Sequence, residues 1–189
     1  MRAAAVEAAA ELFGATGYRG ATFKDVATKL GMTAAGLTYY FPDKDALLAA
    51  VLDERDRPAV TEGTALPPSP SRTDITDHVM RILTENIAHP GLAELHCVLS
   101  AEATSVEHPA HEHFRDRYRK ARELLTEAFE AATERGEIGT SVPPLTLATL
   151  LLSVLDGVQL QWLLDPEEVD MRATVRAFID DLLVPSHSP

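Results

Sequence analysis

The sequence predicts an all-α protein of about nine helices, and three observations carry that reading. Hydrophobic residues recur every three or four positions almost everywhere along the 189 residues, the period of helices with one buried face. No sustained alternation of Val, Ile, Thr and aromatic residues bounded by turn residues occurs, so strands lack a template. Helix starts and stops punctuate the chain throughout.

The first helix is expected over 2–15, with Val6, Ala9, Ala10 and Phe13 on one stripe and a stop near Gly17. Thr22 then caps a second helix, and Asp25 three residues on completes a capping box. That helix ends near Leu30, where Gly31 is suited to a left-handed turn, and Thr33 caps a third helix through about Tyr40. A fourth begins after Pro42-Asp43 and runs to about Arg57. The segment Pro58 to Arg72 holds four prolines and Gly63 and reads as a surface loop. It separates an N-terminal module, 1–52 with its fourth helix reaching about 57, from a body over 58–189. In the body, helices are expected at 74–88, 91–106, 109–135, 144–164 and 166–183. His89-Pro90 and His108-Pro109 each end one helix and pre-set the next. Asp165-Pro166-Glu167-Glu168 combines a capping acid with a first-turn proline. The tail Pro185 to Pro189 is expected to fray.

Composition narrows the function classes. At 46% hydrophobic and 24% charged, the chain can bury a real core. Its single cysteine, Cys97, excludes an internal disulfide framework and thiolate-rich metal sites, and suits a reducing, cytoplasmic setting. The N-terminus lacks a signal-peptide run, and the longest apolar stretch, Leu145 to Leu164, is broken by Asp156, Gln159 and Gln161, so no membrane partner is expected. The net charge of −12 opposes nonspecific adhesion to nucleic acid. That charge is uneven: residues 1–57 carry 7 basic and 8 acidic side chains, residues 58–189 carry 10 and 21. A nucleic-acid surface therefore belongs to the N-terminal module.

The two short helices around Gly31 have helix-turn-helix spacing. Val26 and Leu30 face inward, Ala27 is small where the helices cross, and Met32, Leu37 and Tyr40 close the core. In a DNA major groove this arrangement leaves Thr33, Ala34, Ala35, Thr38 and Tyr39 toward base edges or phosphates. On spacing alone, a plain helical hairpin remains the alternative.

The runs Ala8 to Gly17, Tyr18, Thr22, Val26 to Gly31 and Leu37 to Leu48 resemble the tetracycline-repressor (TetR) family, most specifically in Tyr40-Phe41-Pro42-Asp43-Lys44-Asp45 followed by Leu47-Leu48. The match covers roughly the first 52 residues. The resemblance implies a homodimeric repressor that leaves a palindromic double-stranded DNA operator when a small-molecule effector binds its C-terminal body. It further implies that Lys44 meets a phosphate, that Tyr39 reaches backbone or base, and that Thr22 and Thr33 cap helices and can also donate to phosphate. Where many members carry Ser-Lys-Gly-x-Leu-Tyr, this chain has Thr33-Ala34-Ala35-Gly36-Leu37-Thr38, with a lysine and a tyrosine fewer on the reading face. A basic N-terminal arm is reduced to Met1 and Arg2.

In the body, the helix at 144–164 is apolar on almost every side, more than one core face can bury. One stripe is expected to meet a partner subunit through Leu151, Val154, Val158 and Trp162, joined by Val175, Phe178 and Leu182 of the last helix. Polar residues on otherwise apolar faces are the effector-site candidates: Asn86, His96, Glu102, Tyr118, Asp156 and Gln159, with Leu99 and Phe114 beside the preferred pair His96 and Tyr118. Each of them also reads as an ordinary hydrogen-bonded core residue. The cluster His108, His111 and His113 lacks the i, i+4 spacing of a helical zinc site, so no metal or cofactor is expected. An all-helical enzyme working through His96 or that cluster is the alternative from another class, and it lacks a nucleophile elbow, phosphate loop or paired-ligand motif. A helical dimer that docks proteins is a third.

Overall fold

The computed structural model describes residues 1–56 and 66–182, and among these it holds nine helices and no strand. They are α1 (Arg2–Gly20), α2 (Phe23–Lys29), α3 (Ala34–Thr38), α4 (Lys44–Asp56), α5 (Arg72–Ala88), α6 (Pro90–Glu102), α7 (His111–Glu134), α8 (Pro144–Leu164) and α9 (Met171–Leu182). Much of the Pro58–Arg72 loop, the end of the fourth helix at Arg57 and the tail from Pro185 lie outside the described residues, as does the side chain of Leu182.

The chain forms two compact units, and they are not divided at residue 58. One combines α1 to α4 with the segment His89–Phe114, and the other combines α5 with the chain from Arg115 onward. The reason lies in the small residues of α1. Ala5, Ala8, Ala9 and Gly14 are buried, and a Cβ on Gly14 would stand only 3.6 Å from the Leu95 backbone nitrogen, so α6 lies almost directly on the α1 backbone. Val6, Ala9 and Phe13 of the predicted stripe are buried and Ala10 is half-buried, and α1 packs on α6 and α4 of the same unit, whose Leu95, Leu99, Leu47, Leu48 and Val51 are buried as well.

The second unit has its own core of Ile75, Val79 and Leu83 from α5, Leu125 and Phe129 from α7, Leu147, Leu151 and Val158 from α8, and Met171, Val175 and Ile179 from α9. Each such side chain contributes about 1.5–3 kcal/mol of burial free energy. Three of the residues expected at an interface, Leu151, Val158 and Val175, are at 1%, 4% and 0% exposure part of this unit's core. Val154, Trp162 and Phe178 are only partly buried against that core. The outward face of α8 carries Leu145, Leu150, Leu160 and Leu164 instead. By length and composition α8 is the one described helix that would fit across a membrane, a property its interrupting polar residues do not remove. Two of them are held within the unit: Asp156 accepts from the Tyr118 hydroxyl at 2.8 Å, and Gln159 from the Asn86 amide at 2.6 Å.

Element boundaries follow local chemistry closely. The first helix runs on past the expected stop to Gly20 across a break at Gly17, the helix expected to reach 106 ends at Glu102, and the last helix starts late, since Asp165 to Glu168 makes a single turn, with Val169 N–H donating to the Asp165 carbonyl at 3.1 Å. Asp170 is the working cap, accepting from Ala173 N–H at 2.9 Å, and α9 starts at Met171. α5 starts two residues earlier than expected because Ser71 and Asp74 form a reciprocal capping box, 2.7 and 3.1 Å.

Candidate nucleic-acid interface

The helix-turn-helix is assembled by caps. Thr22 accepts from Asp25 N–H at 3.1 Å, and the Asp25 carboxylate accepts from Thr22 N–H at 2.8 Å. The Thr22 hydroxyl and then its backbone N–H hold Asp25 below the usual carboxylate range. α2 ends in a Schellman turn: Gly31 N–H reaches the Thr28 carbonyl at 3.0 Å and Met32 N–H the Ala27 carbonyl at 2.9 Å. Gly31 has φ +66°, and a Cβ there would meet nothing within 4 Å, so the requirement is purely one of backbone conformation. Thr33 caps α3 by accepting from Gly36 N–H at 3.1 Å.

These caps give α3 one buried anchor and an open face. Val26, Ala27 and Leu37 are buried, while Leu30, Met32 and Tyr40 are half-buried at the edge of the same small core. Thr33, Ala34, Ala35, Thr38 and Tyr39 are all exposed, Tyr39 at 86%, with its ring edge-on to Tyr40 at 5.1 Å. Thr22 is also exposed.

Lys44 is engaged differently from the expectation that sends its ammonium to a phosphate. It is half-buried, donates to the Tyr18 and Ala21 carbonyls at 2.9 and 3.0 Å, and lies 3.9 Å over the Tyr18 ring. The cause is a break in α1. Gly17 takes φ 74°, ψ 168°, which turns the chain out of the helix and leaves carbonyls at the corner for an ammonium to collect. The Tyr18 hydroxyl donates to Asp45, and burial followed by that hydrogen bond pushes the phenol far above its ordinary range. Its ring stands edge-on to His108 at 5.1 Å.

The other side of this corner holds Glu102, expected among the effector candidates and here an acceptor for backbone N–H groups. Its carboxylate receives Tyr18 N–H at 2.7 Å and Arg19 N–H at 3.4 Å. His108, 4% exposed, accepts Ala110 N–H on Nδ1 at 3.1 Å, so the neutral ring carries its proton on Nε2, 3.7 Å from Glu102 Oε2. Sequence reasoning missed this group of Gly17, Tyr18, Asp45, Glu102 and His108. Each residue carried a signal of its own, Gly17 as a helix stop, Tyr18 and Asp45 in the TetR-like runs, Glu102 as an effector candidate and His108 as a helix boundary, but nothing in the sequence joined them, because they meet only through tertiary packing.

Burial lowers the His108 pKa, the Glu102 charge opposing it as the smaller effect. A pKa depressed in the folded state means the unfolded chain binds more protons below the ordinary histidine value of about 6.5, so stability is full above that value and falls as pH drops through it. Urea midpoints compared at about pH 7.5 and pH 5.5 are expected to fall less in His108→Gln than in the wild type. Equal falls would show that His108 does not contribute.

The remaining effector candidates are divided between the units. His96, Leu99 and Phe114 belong to the first, with the His96 ring 5.6 Å from Phe114, while Asn86, Tyr118, Asp156 and Gln159 belong to the second, as the hydrogen-bonded pairs Asn86–Gln159 and Tyr118–Asp156. His111 Nδ1 lies 2.8 Å from the Ala103 carbonyl and His113 Nε2 3.3 Å from Asp56, so the three clustered histidines point to three different neighbours.

Comparison with known proteins decides the family. The profile of bacterial regulatory proteins of the tetR family matches residues 5–51, and that of the C-terminal domain of BetI-type transcriptional repressors matches residues 71–184. The chain belongs to the TetR family. It is therefore a transcriptional regulator with a DNA-binding domain rather than an enzyme. An HTH-type transcriptional regulator in the dhlA 5′ region of Xanthobacter autotrophicus is 24% identical over 169 residues, covering 87% of this chain and 81% of that one. Among solved structures, SmeT, the repressor of the Stenotrophomonas maltophilia multidrug efflux pump SmeDEF, shares the fold at a TM-score of 0.76 and 20% identity, covering 100% of this TetR-family chain and 96% of its own. A Saccharomonospora viridis transcriptional regulator solved in complex with choline shares it at 0.71 and 20%, covering 95% of each chain.

Proposed function

We propose that this TetR-family protein is a homodimeric, cytoplasmic, one-component repressor that leaves a palindromic operator when a small molecule binds its C-terminal body. The observation that carries the DNA-reading part is the single open face of α3, on which Thr33, Ala34, Ala35, Thr38 and Tyr39 are exposed while Leu37 alone anchors the helix. Thr22 and the Lys44 end of α4 flank that face as phosphate contacts, the ammonium having one further proton to offer beyond its two carbonyl bonds.

Pairing supports the palindrome, because two reading helices about 34–36 Å apart match successive major-groove faces of one duplex. The surface we assign to pairing is the outer face of α8, with exposed Leu150, Leu160 and Leu164, the small residues Ser153 and Gly157 between them, and half-buried Val154, Trp162 and Phe178 along its edges. A shallow groove lined by Ser153, Gly157, Gln161 and Thr174 runs beside it and would receive side chains of a second copy. For the effector, we assign the polar pairs Tyr118–Asp156 and Asn86–Gln159 of the second unit as orienting groups. The relative solved with choline supports a small-molecule role for the body, and a ligand acts by binding the released conformation better than the DNA-competent one.

Fluorescence anisotropy with duplex from the gene's own upstream region tests the reading. The full-length protein is expected to bind that duplex at least about a hundredfold more tightly than random-sequence DNA, within the usual range for specific recognition. Thr38→Ala combined with Tyr39→Ala, which leaves the Thr33 cap in place, should remove most of the difference, and Leu160→Glu should yield monomers that bind weakly. Equal affinity for upstream and random duplex would overturn the proposal, and an unchanged oligomer in Leu160→Glu would move the interface elsewhere.

A further inference from the structure

Glu102 ends α6, yet its carboxylate serves α1. At Gly17 the positive φ takes the next two N–H groups out of the α1 ladder and points them to one side, a concavity of successive N–H groups that suits an anion. Glu102 fills it, with Oε2 on Tyr18 N–H at 2.7 Å and Oε1 near Arg19 N–H at 3.4 Å. The carboxylate is partly shielded from water, and a hydrogen bond to a charged acceptor in such a setting is stronger than one between neutral groups.

The position of this contact bears on the helices downstream of it. Ala21 is buried and Thr22 opens α2, so the path from Tyr18 to Ala21 sets the direction in which the chain enters the helix-turn-helix. That path is gripped from two sides. Glu102 holds its N–H groups, and Lys44 holds the carbonyls of Tyr18 and Ala21. α2 and α3 have no other covalent lead-in.

We propose that Glu102 is a positioning residue for DNA reading: its carboxylate fixes the α1–α2 corner and thereby the orientation of α2 and α3. This rests on α3 being the reading helix. Glu102 touches neither nucleic acid nor effector in this role.

Amide hydrogen exchange and binding of the upstream duplex, both on the full-length protein, test the assignment. Glu102→Ala is expected to speed exchange at Tyr18 and Arg19 by about tenfold or more and to weaken specific binding about tenfold. Its affinity for random duplex and its salt dependence should stay as in the wild type. Glu102→Gln keeps one carbonyl acceptor for Tyr18 N–H but loses the charge and sets an NH2 donor toward Arg19 N–H, so both readouts should fall between the wild type and the alanine variant, with Tyr18 the better protected of the two amides. If the alanine variant does not fold, Glu102→Asp keeps the charge but draws it back by one methylene, and should show the same two effects in weaker form. Unchanged exchange at Tyr18 and Arg19 would overturn the assignment. So would faster exchange with specific binding intact, which would leave Glu102 a purely structural group. Should the wild type bind no duplex at all, the DNA-reading proposal falls by itself, while the exchange result still decides whether Glu102 holds the corner.

Discussion

Replacing Gly17 by alanine is expected to destabilise the protein by about 3–5 kcal/mol, and the loss has two separable parts. The φ of 74° with ψ of 168° belongs to a region open essentially to glycine, where another residue is strained by about 1–3 kcal/mol. The new Cβ would also stand 2.5 Å from Glu102 Oε1. Because that atom ends a flexible side chain, Glu102 can swing away, but only by giving up the Tyr18 and Arg19 N–H groups, about 1.5–3 kcal/mol for bonds to a charged acceptor. Glu102→Ala alone should therefore show the second part, and the double variant should be no worse than Gly17→Ala. Urea unfolding followed by circular dichroism would measure this cycle. Strict additivity, or a loss in Gly17→Ala below about 1 kcal/mol, would contradict the geometry.

Lys44→Met separates two roles for one ammonium. If the lysine served only to meet a phosphate, its loss would leave stability unchanged and flatten the salt dependence of DNA binding by about one counterion. The bonds to the Tyr18 and Ala21 carbonyls and the stacking on Tyr18 favour a different outcome. Methionine preserves the stem and removes the donor, leaving two carbonyls that water reaches only in part. A loss of about 1–3 kcal/mol is expected from the unmet carbonyls and the missing cation–π contact. Urea midpoints and salt slopes measured on the same preparations give the answer. A stable variant with a reduced slope would restore the phosphate role as the dominant one.

What the sequence revealed of this protein was what neighbours in the chain decide. The Thr22–Asp25 box, the Gly31 turn and the Thr33 cap involve residues within three or four positions of each other, and each is formed as the residue types require. The same locality explains the displaced start of α9, where two acids, Asp165 and Asp170, compete to cap and the choice falls on the one followed by Met171, a buried residue. Features that depended on distant partners were not legible. Glu102 is 84 residues from the N–H it accepts, and an isolated acid on an apolar helix reads as a ligand contact until its neighbour is known. The split of α8 between core and surface was equally hidden. Its apolar residues surround the helix, so the pattern could not say that Leu151 and Val158 turn inward while Leu160 and Leu164 turn out.

The chemistry offered by α3 has a consequence for how finely an operator could be told from its variants. The Thr38 hydroxyl gives its proton to the Ala34 carbonyl and the Thr33 oxygen accepts the helix cap while keeping its proton, so the face presents methyl groups, one phenol and a single free threonine donor at its N-terminal end. No Arg, Lys, Asn or Gln lies between Thr33 and Tyr40 to form a forked bond with a purine. With α3 as the reading helix, discrimination then leans on thymine methyls and on the sequence-dependent shape of the groove rather than on forked bonds to purines. A target for such a face would be told from its variants by where methyl groups and flexible base steps fall along the duplex.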